Sequence, residues 1–473
     1  MLQEYIALLP EIILIFGIFT MAAVRIFRHQ NTPKTFYTLS RFFILTAAAF
    51  SAIFYNRNTL EYLHNSSFTN LFKFLIYIFM LIWNYLSVKR FISKNTPSFA
   101  FYTIMMFDLL CMSLAISAAN LWILSVSLSL SFLCNYPLLL IEETPKEKSL
   151  SLKHFFFSLF FVAVFIIGDF LLYKQIHNLS YSNILQNINE QQIPISIELL
   201  ASSLIFCALL FMMGIAPFHF WFAEAVSISI LPVAGYLTII PTFAYFACFI
   251  NIAANVFAPL LPYFYKTFII CGVLSVFVGA IGANSEDNLR KIFAYSGLYC
   301  MGVILLSLFP MDTYSLLSSF IYLLVYIIAV SGIYTVFYGY RSKGKYLSCL
   351  EDVKGVYSQR PYLSAALLLF MISLIGIPPM VGFLGKLSII NNMVITGKFA
   401  IIGIVLFAML ILVYAYLKII TVVYFDARNN SFDIVDKGVY ICMIINIVVM
   451  ITIIINPQYL MHDIQNTLLA VLK

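Results

Sequence analysis

Apolar runs of about 20 residues alternate with short polar segments along the whole chain. Each run is long enough to cross a bilayer as an α-helix. Fourteen are read, at 5–25, 37–56, 71–92, 99–118, 120–141, 153–173, 196–220, 230–253, 264–284, 290–309, 314–340, 361–397, 399–424 and 437–456. The twelfth breaks its own pattern. Arg360–Ile390 reads RPYLSAALLLFMISLIGIPPMVGFLGKLSII and carries no charge between Arg360 and Lys386. Its middle nevertheless holds Gly376, Pro378, Pro379, Gly382 and Gly385. Proline removes a backbone donor and clashes with the preceding turn, so the helix has to break there. A broken helix at membrane depth is tolerated only inside protein or beside a wet cavity. Lys386 follows directly. A lysine at that depth costs about 2.5–3.5 kcal/mol, which makes it a functional candidate; snorkelling to the interface is the plainer reading.

The seventh run echoes this one. Gly214-Ile215-Ala216-Pro217 and Gly376-Ile377-Pro378-Pro379 share the form GIxP. Two interrupted helices in corresponding places point to internal repeats with a pathway at their interface. They lie an odd number of spans apart, so the repeats would be inverted.

Composition sharpens the class. The chain has 473 residues, is 62% hydrophobic and 10% charged, and has a mean hydropathy of +0.97. That is an all-α polytopic membrane protein with no long polar stretch for a soluble domain. The eight cysteines form no CxxC pair, which argues against a disulfide framework, an iron–sulfur cluster or a zinc site. No GxGxxG or P-loop occurs, so no nucleotide site is expected. The net charge of +7 comes from loop residues and gives no indication of nucleic-acid binding. Of the 27 lysines and arginines, 19 fall in loops on one side of the fourteen-span scheme and 6 on the other. By the positive-inside rule this places both termini outside the cytoplasm. Met1–Arg25 has its charges at the wrong end for a signal sequence and is kept as the first span.

Several stretches together resemble one family. They are LLPEIIL (Leu8–Leu14), APFHFW (Ala216–Trp221) followed by Glu224 and Pro232-Val233, NLRKIFAYS (Asn288–Ser296), EDVKGV (Glu351–Val356), GIPPMVGFLGK (Gly376–Lys386) and YLKIITVVYFD (Tyr416–Asp426). The chain resembles the antiporter-like membrane subunits of proton-pumping NADH:quinone oxidoreductase, respiratory complex I, and subunit N in particular. Mrp-type antiporters share the fold. The resemblance implies two inverted five-helix repeats, spans 4–8 and 9–13, each supplying a half-channel. The corresponding divisions are 1–98, 99–253, 254–424 and 425–473. It also implies proton transfer through buried lysines, a glutamate and water, with membrane-arm subunits and the bilayer as partners. NADH, FMN, iron–sulfur clusters and quinone would be bound elsewhere in the complex, and this chain would hold no cofactor. A bacterial inner membrane is the family's usual location, with a mitochondrial one as the alternative.

The chain departs from that family where the chemistry should be. The span 5 glutamate is expected about ten residues after Asn120, within ILSVSLSLSF (Ile123–Phe132), which has no acid; Glu142 and Glu143 come too late. The lysine expected in span 7 is Met212, the one after the span 8 proline is Thr242, and the span 10 histidine is Cys300. Lys386 survives, and Lys153 matches another family lysine or is a plain loop charge. Asp108 in span 4, Asp169 in span 6, His219 after the span 7 break and Glu224 complete the candidate proton path. Lys418 is read as snorkelling from the end of span 13. Ser125, Ser127, Ser129 and Ser131 alternate and so cannot share one helix face; they hydrate a path or pack closely. Two functions are carried forward: a proton-translocating subunit of complex I, and a subunit that has kept the fold for assembly alone. A stand-alone cation/proton antiporter is a third.

Overall fold

The structure is a computed structural model that describes residues 8–28, 33–53, 63–94, 98–141, 145–427 and 431–458, with 461, 464, 465 and 467. Both extreme termini, and with them Glu142 and Glu143, lie outside the described residues. Thirteen helices among the described residues are long and apolar enough to cross a membrane. They fall into two compact units, one made of the described residues up to 213 and of 228–264, the other of 214–227 and the described residues from 265 onward.

The first unit holds α1 (Leu9–Arg28), α2 (Pro33–Ile53), α3 (Ser67–Lys94), α4 (Phe99–Ser117), α5 (Leu121–Leu139), α6 (Pro145–Ile176), α7 (Tyr181–Asn189), α8 (Ile195–Met212) and α10 (Leu231–Asn255). Nearly every side chain of α10 is buried, so it forms the centre, packed on α3 and α4. A helix apolar all round belongs in such a place. Asn120 caps α5, its side-chain oxygen accepting from the Trp122 amide at 2.9 Å. α7 is a short amphipathic helix that the span reading passed over. It buries Tyr181, Ile184 and Ile188 on one face and is too short and too polar to cross a membrane.

The second unit holds α9 (Phe220–Ile228), α12 (Leu289–Leu308), α13 (Thr313–Gly339), α14 (Pro361–Ile375), α15 (Val381–Ile395), α16 (Phe399–Tyr424) and α17 (Lys437–Ile455). Between the units in sequence, α11 (Leu261–Ser285) contributes mainly to the second. α13 is the buried centre here, against α14, α15 and α17. Asp312 caps it, accepting from the Ser315 amide at 2.8 Å. A two-stranded hairpin, Arg341–Ser342 with Lys345–Tyr346, follows α13.

The expected single span 361–397 is two helices, α14 and α15, of 15 residues each. Span 196–220 likewise stops at Met212 before α9 begins. Both interruptions sit at the anticipated glycines, Gly214 at φ +68° and Gly376 at φ +83°. Glycine takes this left-handed backbone without a Cβ penalty. Pro137 and Pro241, by contrast, lie inside continuous helices.

Candidate functional site

The site is built by the way α14 ends. The Gly376 amide donates to the Ser373 carbonyl at 3.0 Å and the Ile377 amide to the Ile372 carbonyl at 3.3 Å, the paired bonds of a Schellman ending. The chain then turns through Pro378 and Pro379 and restarts at Val381. Gly382 passes so close to α14 that its amide donates to the Ser373 hydroxyl at 3.1 Å. The last carbonyls of any helix lack intrahelical partners and carry the negative end of its dipole. One of them, Ile375, accepts from Lys386 Nζ at 2.7 Å. The break therefore creates the group that holds the lysine.

Beside Lys386 lies a cavity of about 20 Å³, space for about one water molecule. Tyr299, Tyr322, Tyr326, Tyr416 and Ser296 line it with Lys386 itself. Ser296 and Tyr416 share a 2.5 Å hydrogen bond, and the Tyr326 hydroxyl donates to Ser296 at 3.2 Å. Cys300 is buried on α12. The arrangement joins one cation, a carbonyl anchor and a group of hydroxyls that both donate and accept. Those are the elements needed to hold a proton and pass it on.

The other expected residues have different surroundings. His219 is half-buried in the turn between α8 and α9, Pro217 is exposed beside it, and Glu224 is exposed on α9. Met212 is buried at the end of α8, and Thr242 donates to the Thr238 carbonyl within its own helix at 3.0 Å. Lys153 is exposed near the start of α6. Lys418 bonds Asp287 at 2.8 Å on an exposed surface, as a side chain at a helix end does. Asp108 and Asp169 are fully buried. Asp108 accepts from Ser131 at 2.5 Å with one oxygen and from the Tyr236 hydroxyl with the other. Both oxygens of Asp169 lack a hydrogen bond among the described residues.

Comparison with known proteins settles the family. Residues 118–412 match the family described as NADH:quinone oxidoreductase/Mrp antiporter, transmembrane region. The chain belongs to that family. NADH-quinone oxidoreductase subunit N 1 of Aquifex aeolicus is 28% identical over 423 residues, 88% of each chain. Among solved structures, a chain of respiratory complex I from Thermus thermophilus superposes with a TM-score of 0.82 at 21% identity, covering 96% of this chain and 98% of that one. A chain of the Mrp complex from Dietzia superposes at 0.86 with 15% identity over all of both. At these identities the two structures establish the fold alone.

In this member of the NADH:quinone oxidoreductase/Mrp antiporter family, reading the sequence missed three polar groupings. The first is the tyrosine cluster, whose members look like interface aromatics in an apolar run. The second is a buried ion pair, Glu11 Oε1 to Lys73 Nζ at 2.6 Å, to which Ser113 donates at 3.0 Å while Lys73 also donates to Asn65 at 2.5 Å. The third is Lys398, in the turn ahead of α16. It is 9% exposed and donates to the carbonyls of Leu306, at 2.9 Å, and Phe309. Burial pulls its ammonium down to about 8, against an opposing pull from Asp312.

Proposed function

We propose that the chain is subunit N of an NADH:quinone oxidoreductase and carries protons across the membrane as part of its membrane arm. Electron transfer from NADH to quinone belongs to other subunits. The arm's other antiporter-like and small subunits are its partners, in a bacterial inner membrane with both termini outside the cytoplasm. Two inverted repeats, spans 4–8 and 9–13, are part of the same reading. Lys386 is the titratable carrier of the second repeat.

The observation that carries this reading is the hydrogen bond from Lys386 to the Ile375 carbonyl, at a helix break beside a hydroxyl-lined cavity. A bilayer-depth lysine so placed has a defined partner for its charged form and a polar neighbour for its proton. The experiment is to isolate the tagged chain from native membranes in mild detergent. Co-purification with an assembly that oxidises NADH with quinone and acidifies one side of a vesicle supports the proposal. Recovery of the chain alone, exchanging sodium for protons in vesicles, overturns it in favour of an antiporter.

A second reading, a subunit retained for assembly alone, is favoured by one feature of the first unit. Met212 is buried where a lysine would stand, and its neighbour Phe211 is stacked on Phe161 at 3.8 Å between ring centroids. Stacked rings there replace the side chain that would have titrated at this position.

A further inference from the structure

The first repeat lacks the acid that the family resemblance expects on α5, yet the structure places an acid against that position. Ten residues after Asn120 stands Leu130, which is 40% exposed and faces outward. The next residue, Ser131, is fully buried, so the inward-facing position of this turn is a serine. Its hydroxyl donates to Asp108 Oδ1 at 2.5 Å. Asp108 lies at the midpoint of α4, ten residues along a 19-residue helix. Its second oxygen accepts from Tyr236 on the central helix α10.

We propose that Asp108 is the proton-binding acid of the first repeat, a carboxyl group supplied from α4 at the place where the α5 acid is missing. Several features favour binding and release over a purely structural role. A carboxylate at mid-span is expensive unless it is hydrogen-bonded. Asp108 has two hydroxyl donors, one for each oxygen. Both partners are hydroxyls and not cations, so no fixed positive charge locks the carboxylate in its ionised form. When a proton arrives, an O–H bond forms on one carboxyl oxygen. The facing hydroxyl then rotates to accept from it, and release reverses both changes. A lysine or arginine partner would have permitted neither.

This inference rests on the proposed proton-carrying function, and its test separates the two. The assembled complex is studied in sealed inverted membrane vesicles, reading protons moved per NADH oxidised. Asp108→Asn keeps the shape, one facing hydroxyl turning to accept from the new amide group, and is expected to lower that ratio while NADH oxidation continues. The exchange Asp108→Ser with Ser131→Asp returns the acid to α5 at constant composition and is expected to recover much of the loss. An unchanged ratio in Asp108→Asn, with Lys386→Met lowering it, overturns the role of Asp108 and leaves the proposed function standing. An unchanged ratio in both overturns both.

A second measurement covers loss of assembly in the asparagine variant. With aspartate carboxyls 13C-labelled, infrared difference spectra of the native complex should show a labelled carboxyl band that changes on NADH turnover and disappears in Asp108→Glu. Absence of such a band overturns the proposal.

Discussion

Lys386 Nζ lies 2.7 Å from the main-chain oxygen of Ile375, the last residue of α14, eleven positions earlier in the chain. The contact exists because the helix stops: an unbroken helix would have committed that carbonyl to an amide four residues on. Glycine and proline thus act on the site through backbone bonding, by freeing an acceptor at membrane depth. Placing a cation at the C-terminal end of a helix adds the favourable dipole term, about 0.3–1 kcal/mol at exposed sites and more where burial reduces screening.

Gly382→Ala should be among the most damaging single-methyl additions in the chain. A Cβ on Gly382 would stand 1.6 Å from the Ser373 carbonyl oxygen, so α15 would have to move away from α14. Gly376→Ala adds strain of another kind. It forces a left-handed residue, costing about 1–2 kcal/mol, and puts a methyl 2.7 Å from Lys386 Cδ. The yield of assembled complex and its thermal midpoint should fall for both, and further for Gly382→Ala.

The Glu11–Lys73 pair should be far more costly to split than to remove. Lys73→Met leaves a carboxylate buried without its cation and Glu11→Gln leaves an ammonium buried without its anion, so each is expected to lose about 3–5 kcal/mol. The double variant Glu11→Gln with Lys73→Met should regain much of that loss. Chemical or thermal unfolding of the four proteins checks this as a double-mutant cycle. Additive losses would mean the pair does not act as a unit.

Lys398 should give stability an alkaline pH dependence. Its folded value is about 8, below the ordinary 10.5, so the unfolded chain binds more protons between those values. Stability contributed by this residue therefore rises as pH climbs from about 8 to about 10.5 and is flat below. Asp312 opposes the shift and the Tyr265 ring lies 5.9 Å from the ammonium, so both belong in the comparison. Thermal midpoints of the native protein and Lys398→Met across that range should differ in slope, the variant being flatter.

Much of this architecture was legible from the chain. Apolar runs marked the spans, because a helix crossing hydrocarbon needs about 20 predominantly apolar residues. Gly214 and Gly376 marked the breaks, because only glycine reaches their backbone angles without strain. What stayed hidden depends on tertiary direction. Tyr416 and Ser296 are 120 positions apart and meet only when α16 packs on α12. Asp108 was visible as an awkward charge, but its relation to Ser131 needed the facing of two neighbouring helices. Lys398 read as a loop charge, because the two carbonyls that bury it come from the end of α12. Lys153, aligned by motif with a family lysine, is exposed on α6, and a match in sequence could not show which way it faces.

The most direct test of the account is the proton yield of Lys386→Met in the assembled complex. Methionine keeps most of the side chain's length and volume while removing its charge and its bond to Ile375. The account predicts normal assembly and continued NADH oxidation with fewer protons moved per NADH. An assembled complex with an unchanged ratio would contradict it and leave the chain as a structural member of the membrane arm.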